Sequence, residues 1–136
     1  MIKATTIIQR ADEYLSIGDH RKIKDGFLEK YSMCEVLCRS IVKDYLKEIG
    51  EYTTDEEIGM DLKLIKEALS DSGYVFEDEK LLTRIWGKSQ VRDSSSCRFL
   101  RNKITHELME RALHEAVERR DQLITDMDIF IERLTN

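Results

Sequence analysis

The stretch that decides the fold is IKDGFLEKYSMCEVLCRSIVKDYLKEIG, residues 23–50. Its apolar side chains recur at steps of three and four residues, close to a seven-residue repeat over nearly four heptads. They are Ile23, Phe27, Tyr31, Cys34, Cys38, Ile41, Tyr45 and Ile49. This spacing places them on one face of an α-helix, so the segment predicts a long amphipathic helix that ends at Gly50.

The same period predicts helices on both sides of this segment. The chain of 136 residues contains no proline, a residue that costs about 3 kcal/mol inside a helix. Residues 4–15 have the pattern of a first helix. The sequence Thr54-x-x-Glu57 is a capping box for a third helix, which the Ser-Asp-Ser-Gly cluster at 70–73 ends. We expect Asp78 to cap a fourth, shorter helix.

The C-terminal part of the chain continues the helical pattern. The serines at 94–96 offer a cap for a fifth helix, and a last apolar pattern covers residues 112–134. No Gly or Pro separates these two segments, so the sequence leaves open whether they form one helix or two. Amphipathic helices joined by short links predict an all-α, up-and-down bundle of about five helices, forming a single domain over residues 1–136.

Composition excludes several classes of protein. At 41% hydrophobic and 36% charged residues, the chain is too apolar to be disordered. No apolar run approaches the roughly 20 residues that span a bilayer. The first residues, MIKATTIIQRADEY, lack the layout of a secretory signal. We therefore expect a soluble, cytoplasmic protein with no membrane partner.

The cysteine and histidine spacing predicts neither a metal site nor a cofactor site. Cys34 and Cys38 lie one helical turn apart among apolar neighbours, which is typical of thiols in a helical core. His20, His106 and His114 do not have zinc-ligand spacing. We expect no metal and no cofactor.

Positive charge is concentrated in one segment of an acidic chain. The net charge is −5, yet residues 84–103 contain six basic residues and one acid. The basic residues are Arg84, Lys88, Arg92, Arg98, Arg101 and Lys103. A local excess of this kind suits a groove that follows a nucleic-acid backbone, and a solvated helix face explains it nearly as well. We assign Arg98, Lys103, Arg92 and Lys88 as the candidate RNA contacts.

The same segment contains Leu100-Arg101-Asn102-x-x-x-His106, which groups residues suited to RNA cleavage. Imidazole can give or take a proton near neutral pH, and a guanidinium grips phosphate with two parallel hydrogen bonds. Five residues separate Arg101 from His106, which is 140° around an ideal helix. Two side chains so placed do not converge on one phosphate, so the spacing favours a site shared between two protomers. Asn102 lies on the same face as His106, where it either fixes the orientation of the imidazole or makes a polar contact at the dimer interface.

This motif, in a small all-α chain, resembles the signature of the HEPN superfamily, in which Arg, often followed by Asn, precedes a His by a few residues. The resemblance implies a homodimeric bundle acting as a metal-independent endoribonuclease, with Arg101, Asn102 and His106 as catalytic residues. It also implies a toxin–antitoxin or phage-defence context. Many relatives turn directly after the His, whereas residues 107–110 here are helix-compatible.

Other HEPN members imply an alternative that leaves the motif without catalytic activity. Some bind RNA without cutting it, and others are partners of nucleotidyltransferases. The alternative is a non-catalytic dimeric module that binds RNA or a partner protein such as an antitoxin or nucleotidyltransferase. Two further residues have open roles. Trp86 suits the core better than base stacking, and Glu35 either pairs with an Arg of the motif helix or lies at the bundle edge.

Overall fold

The computed structural model describes residues 3–88 and 94–136, which form seven α-helices, one 3₁₀ turn at Asp55–Glu57 and no β-strand. The helices are α1 (Ala4–Leu15), α2 (His20–Glu48), α3 (Leu62–Asp71), α4 (Leu81–Trp86), α5 (Cys97–Glu107), α6 (Glu110–Glu118) and α7 (Arg120–Thr135). The predicted all-α class is confirmed for these residues, but they contain seven helices rather than about five. No described helix has the length and apolar composition of a membrane span.

Helix α2 is the axis of the structure, and five other helices pack against it. Its buried side chains are Phe27, Tyr31, Cys34, Cys38 and Val42. The predicted buried face is therefore right as far as Cys38. After Cys38 the buried residue is Val42 and not the predicted Ile41. A straight α-helix drifts about 20° per heptad from a strict seven-residue repeat, which explains this rotation of the buried face. The remainder of the stripe is less buried, and Ile49 is 46% exposed.

The third helix begins later than the capping box predicts. Thr54 and the following residues make only the 3₁₀ turn, with no side-chain cap at Thr54. Asp61 caps α3 instead, because its carboxylate accepts a hydrogen bond of 2.8 Å from the backbone N–H of Leu64. The non-helical residues between the two, Ile58 and Met60, are buried in the core. Core burial of this connection outweighs the local capping signal.

The C-terminal region contains three helices, since the backbone breaks at two points that no Gly or Pro marks. Leu108 takes a left-handed conformation with φ of 47°, which ends α5 directly after His106 and Glu107. The expectation that residues 107–110 continue the helix is therefore wrong. Left-handed backbone costs a residue such as leucine about 1–2 kcal/mol. Leu108 and Met109 both pack against the core, and this burial offsets the cost.

Candidate functional site

The motif helix α5 is anchored at its first turn to the end of α4. The Ser96 hydroxyl caps α5 by accepting from the N–H of Phe99 at 3.1 Å, and it donates to the carbonyl of Gly87 at 2.6 Å. Arg98 Nη1 donates to the carbonyl of Trp86 at 3.1 Å. A side chain at position 87 would bring its Cβ within 2.5 Å of the Thr83 carbonyl oxygen, so this close approach requires glycine.

A buried polar network fixes the same end of α5 to α6. Glu115 is only 5% exposed, and its carboxylate accepts from the Ser95 backbone N–H at 2.9 Å and from the Ser95 hydroxyl at 3.0 Å. Arg119 forms an ion pair with Glu115 and donates to the Ser95 carbonyl at 2.9 Å. This network was not predicted from the sequence. The signal was Glu115 itself, an acid on the apolar face formed by Leu113 and Ala116.

One face of α5 lines an open cleft with a volume of about 330 Å³. Its lining consists of Gly87, Lys88, Arg98, Phe99, Asn102, Lys103, His106 and Glu107. His106 is exposed, and within the described ranges its side chain makes no hydrogen bond or ion pair. Because α5 ends at Glu107, the imidazole lies in the last turn of the helix. The cleft thus presents an imidazole that is available for proton transfer.

Three cations line this cleft, and their surroundings differ. Lys88 is exposed, and no described residue pairs with it. One guanidinium nitrogen of Arg98 holds the end of α4. Lys103 pairs with Glu107 at 2.6 Å and lies over the Phe99 ring, 5.7 Å from its centroid. Among the described lining residues, these three cations against the carboxylate of Glu107 leave an excess of two positive charges.

Arg101 is absent from the lining of this cleft and is held by residues of α2. Its guanidinium lies 3.5 Å from the Glu35 carboxylate and 5.2 Å from the centroid of the buried Tyr31 ring. It also donates to Asn102 Oδ1 at 2.8 Å. Burial, with a smaller effect of Glu35, raises the pKa of Tyr31, which keeps the phenol neutral beneath the guanidinium. Of the two roles that the sequence left open for Glu35, the structure shows the pairing with an Arg of the motif helix.

The structure thus brings together five of the seven predicted site residues. Lys88, Arg98, Asn102, Lys103 and His106 share the cleft, while Arg101 does not line it. Arg92, the seventh, lies outside the described residues. The Oδ1 of Asn102 accepts from Arg101, and the described contacts include none between Asn102 and the imidazole.

Arg84 does not belong to the cationic cleft. Its guanidinium donates twice to Asp126, at 2.9 and 3.0 Å, and once to Asp78 at 2.7 Å. Asp126 is 5% exposed, so this pair is a structural link between α4 and α7. Arg84 was included in the basic segment because charge counting along a sequence cannot identify a partner 42 residues away.

The three cysteines are core residues. Cys34, Cys38 and Cys97 are fully buried, and burial raises the pKa of each thiol to about 12. Trp86 is also in the core, with its ring 5.5 Å from the centroid of Phe130. The described residues contain no cluster of His, Cys, Asp and Glu side chains placed to hold a metal ion.

Comparisons of this chain with protein-family models, with curated proteins and with solved structures found no match. The resemblance to the HEPN superfamily therefore rests on the motif and on the helical class of the chain. The motif and the cleft are therefore the features that indicate a function.

Proposed function

We propose that this chain is a HEPN-like, metal-independent endoribonuclease that acts as a homodimer in the cytoplasm. The observation that carries the proposal is the exposed imidazole of His106, which has no partner among the described residues and lies in a cleft lined by Lys88, Arg98 and Lys103. A cationic groove attracts the phosphate backbone of RNA, and an imidazole within it can move protons at the scissile phosphate. The family resemblance extends the proposal to a toxin–antitoxin or phage-defence role.

The chemistry requires one proton acceptor, one proton donor and positive charge. A neutral imidazole removes the proton from the ribose 2′-OH, and the 2′-oxygen forms a new bond to phosphorus. The bond from phosphorus to the 5′-oxygen then breaks, and an imidazolium donates its proton to the leaving oxygen. The products are a 2′,3′-cyclic phosphate and a 5′-hydroxyl. Guanidinium groups stabilise the charge that develops on the phosphate oxygens.

A second copy of the chain supplies the second imidazole and the arginine that one cleft lacks. Each chain has one exposed His106 in its cleft, and its own Arg101 is held beside Glu35 on α2. Two clefts that face each other across a two-fold axis bring two imidazoles to one phosphate. One acts as base and the other as acid. Arg101 of one protomer can then serve the cleft of its partner.

A specific contact favours the alternative function, a non-catalytic dimeric module that binds RNA or a partner protein such as an antitoxin or nucleotidyltransferase. Arg101 already has Glu35, Asn102 and Tyr31 as partners within its own chain. An arginine so engaged has fewer free hydrogen-bond donors for a transition state. This module binds RNA equally well after His106→Ala and never cleaves it.

The test is cleavage of end-labelled RNA in EDTA, with detection of 2′,3′-cyclic phosphate ends. We expect His106→Ala and Arg101→Ala each to lower the rate by about 100-fold or more. The matched controls are His114→Ala, at the α1–α6 contact, and Arg111→Ala, an exposed arginine of α6. Both controls should retain activity. The proposal fails if no RNA is cleaved, or if His106→Ala cleaves as fast as the controls.

A further inference from the structure

A second cavity lies on another part of the surface, between the segment before α4 and the last turns of α7. Its volume is about 550 Å³, within the range of about 300–1,000 Å³ that is typical of ligand pockets. The apolar part of its lining consists of Val75, Phe76, Leu81 and Ile129. Val75 is 69% exposed and Ile129 is 47% exposed, so the cavity is an open groove with apolar edges.

The walls of this groove are held in place without a partner. Arg133 Nε donates to the Val75 carbonyl at 2.8 Å, which ties the segment before α4 to α7. The Phe76 ring stacks on Phe130 with centroids 5.9 Å apart and an angle of 6° between the planes. A groove formed in advance binds its occupant without a cost for ordering its walls.

The rim of the groove is acidic. Glu77 and Glu132 are exposed, and neither has an ion-pair partner among the described residues. Asp78 also lines the groove and pairs with Arg84, which lies outside the lining. Among the lining side chains, the three carboxylates of Glu77, Asp78 and Glu132 against the guanidinium of Arg133 leave an excess of two negative charges. The rim therefore selects a positively charged occupant.

We propose that this groove docks a basic, amphipathic helix of another protein. Apolar side chains of that helix fill the groove between Val75 and Ile129, and its flanking Lys or Arg side chains meet Glu77 and Glu132. The carboxylates repel RNA and anionic lipid surfaces. They also disfavour a symmetric pair of this chain, because a two-fold axis through the groove brings the two acidic rims together.

The test uses two fluorescent helical peptides of about 16 residues with the same leucine face and either lysine or glutamate on the other face. Fluorescence anisotropy should show the lysine peptide binding at least about tenfold tighter than the glutamate peptide. Ile129→Ser and Glu132→Lys should each weaken lysine-peptide binding by about tenfold. Both positions are exposed, and circular dichroism melting of each variant checks that it is folded.

The matched control is Glu56→Lys, which makes the same charge change in the 3₁₀ turn. The control position is far from the groove. Asp55, next to Glu56, pairs with Lys43, whereas Asp128, next to Ile129, pairs with Lys30. Lys30 and Lys43 are 13 residues apart on α2, which is a distance of about 20 Å. Glu56→Lys should leave peptide binding unchanged. The proposal is overturned if Glu56→Lys weakens binding as much as Glu132→Lys, or if Ile129→Ser has no effect. It is also overturned if sedimentation shows a dimer that Ile129→Ser dissociates, since a second copy is then the occupant.

Discussion

Replacing Glu115 with alanine tests the buried network that anchors the motif helix. The change removes the acceptor of two hydrogen bonds from Ser95 and the counter-ion of Arg119, whose side chain is only 15% exposed. Deleting one partner of a buried ion pair costs about 3–5 kcal/mol. Arg119 keeps its bond to the Ser95 carbonyl, so we expect the lower limit, about 3 kcal/mol.

This loss converts to a shift in melting temperature. At about 2.1 cal/mol/K per residue, 136 residues have an entropy of unfolding of about 0.29 kcal/mol/K, so Tm should fall by about 10 °C. Thermal and urea unfolding followed by circular dichroism measure both quantities. The control is Glu118→Ala, an exposed glutamate of the same helix, which should change stability by less than about 0.5 kcal/mol. A Glu115→Ala variant as stable as Glu118→Ala refutes the anchoring role of Glu115.

Three further predictions concern the fold. Gly87→Ala should destabilise the protein by about 1–3 kcal/mol because the added Cβ meets the Thr83 carbonyl. Gly26→Ala, within α2 and with open space around it, should stabilise the protein by about 0.5–1 kcal/mol. Equal effects of the two changes in urea unfolding contradict the close approach at Gly87. Burial raises the thiol pKa of all three cysteines to about 12, so a thiol reagent at about pH 8 should label them only after denaturation. Rapid labelling of the native protein contradicts this. Hydrogen bonds from Arg84, and then from the Lys80 N–H, lower the pKa of Asp78 below 3.8. The stabilisation by Asp78 is therefore present above about pH 4 and is lost as pH falls through the folded-state pKa. Asp78→Asn should flatten the acid limb of stability against pH, and parallel curves contradict the pairing.

Where burial follows a simple period, the sequence was sufficient to predict the structure. The stripe from Phe27 to Cys38 needs only helical geometry, and Ser96 caps α5 as its position before the apolar pattern predicted. The left-handed turn at Leu108 could not be predicted in this way. It is stabilised by packing against residues distant in sequence, and leucine has no local preference for it.

The candidate site shows the same division between local and distant effects. The residues that share the cleft lie on one helix or at the adjoining end of α4, so spacing brings most of them together. Arg84 pairs with Asp126 of α7, and a linear charge count treats this arginine as free. Glu35 stood out as an acid on the inward half of a long helix, but the sequence left open whether it pairs with an Arg or lies at the bundle edge, and the structure shows the pair.

Subunit mixing tests most directly whether two copies of His106 act on one phosphate. Wild-type chain is co-refolded with an equal amount of His106→Ala, and formation of 2′,3′-cyclic phosphate from RNA is measured in EDTA. If both imidazoles are required, random pairing leaves about a quarter of the rate of wild-type protein at the same total chain concentration, because only dimers with two His106 side chains are active. A rate of about half that of wild-type protein shows that each His106 acts alone, which contradicts the shared site. The absence of cleavage by the wild-type protein contradicts the account as a whole.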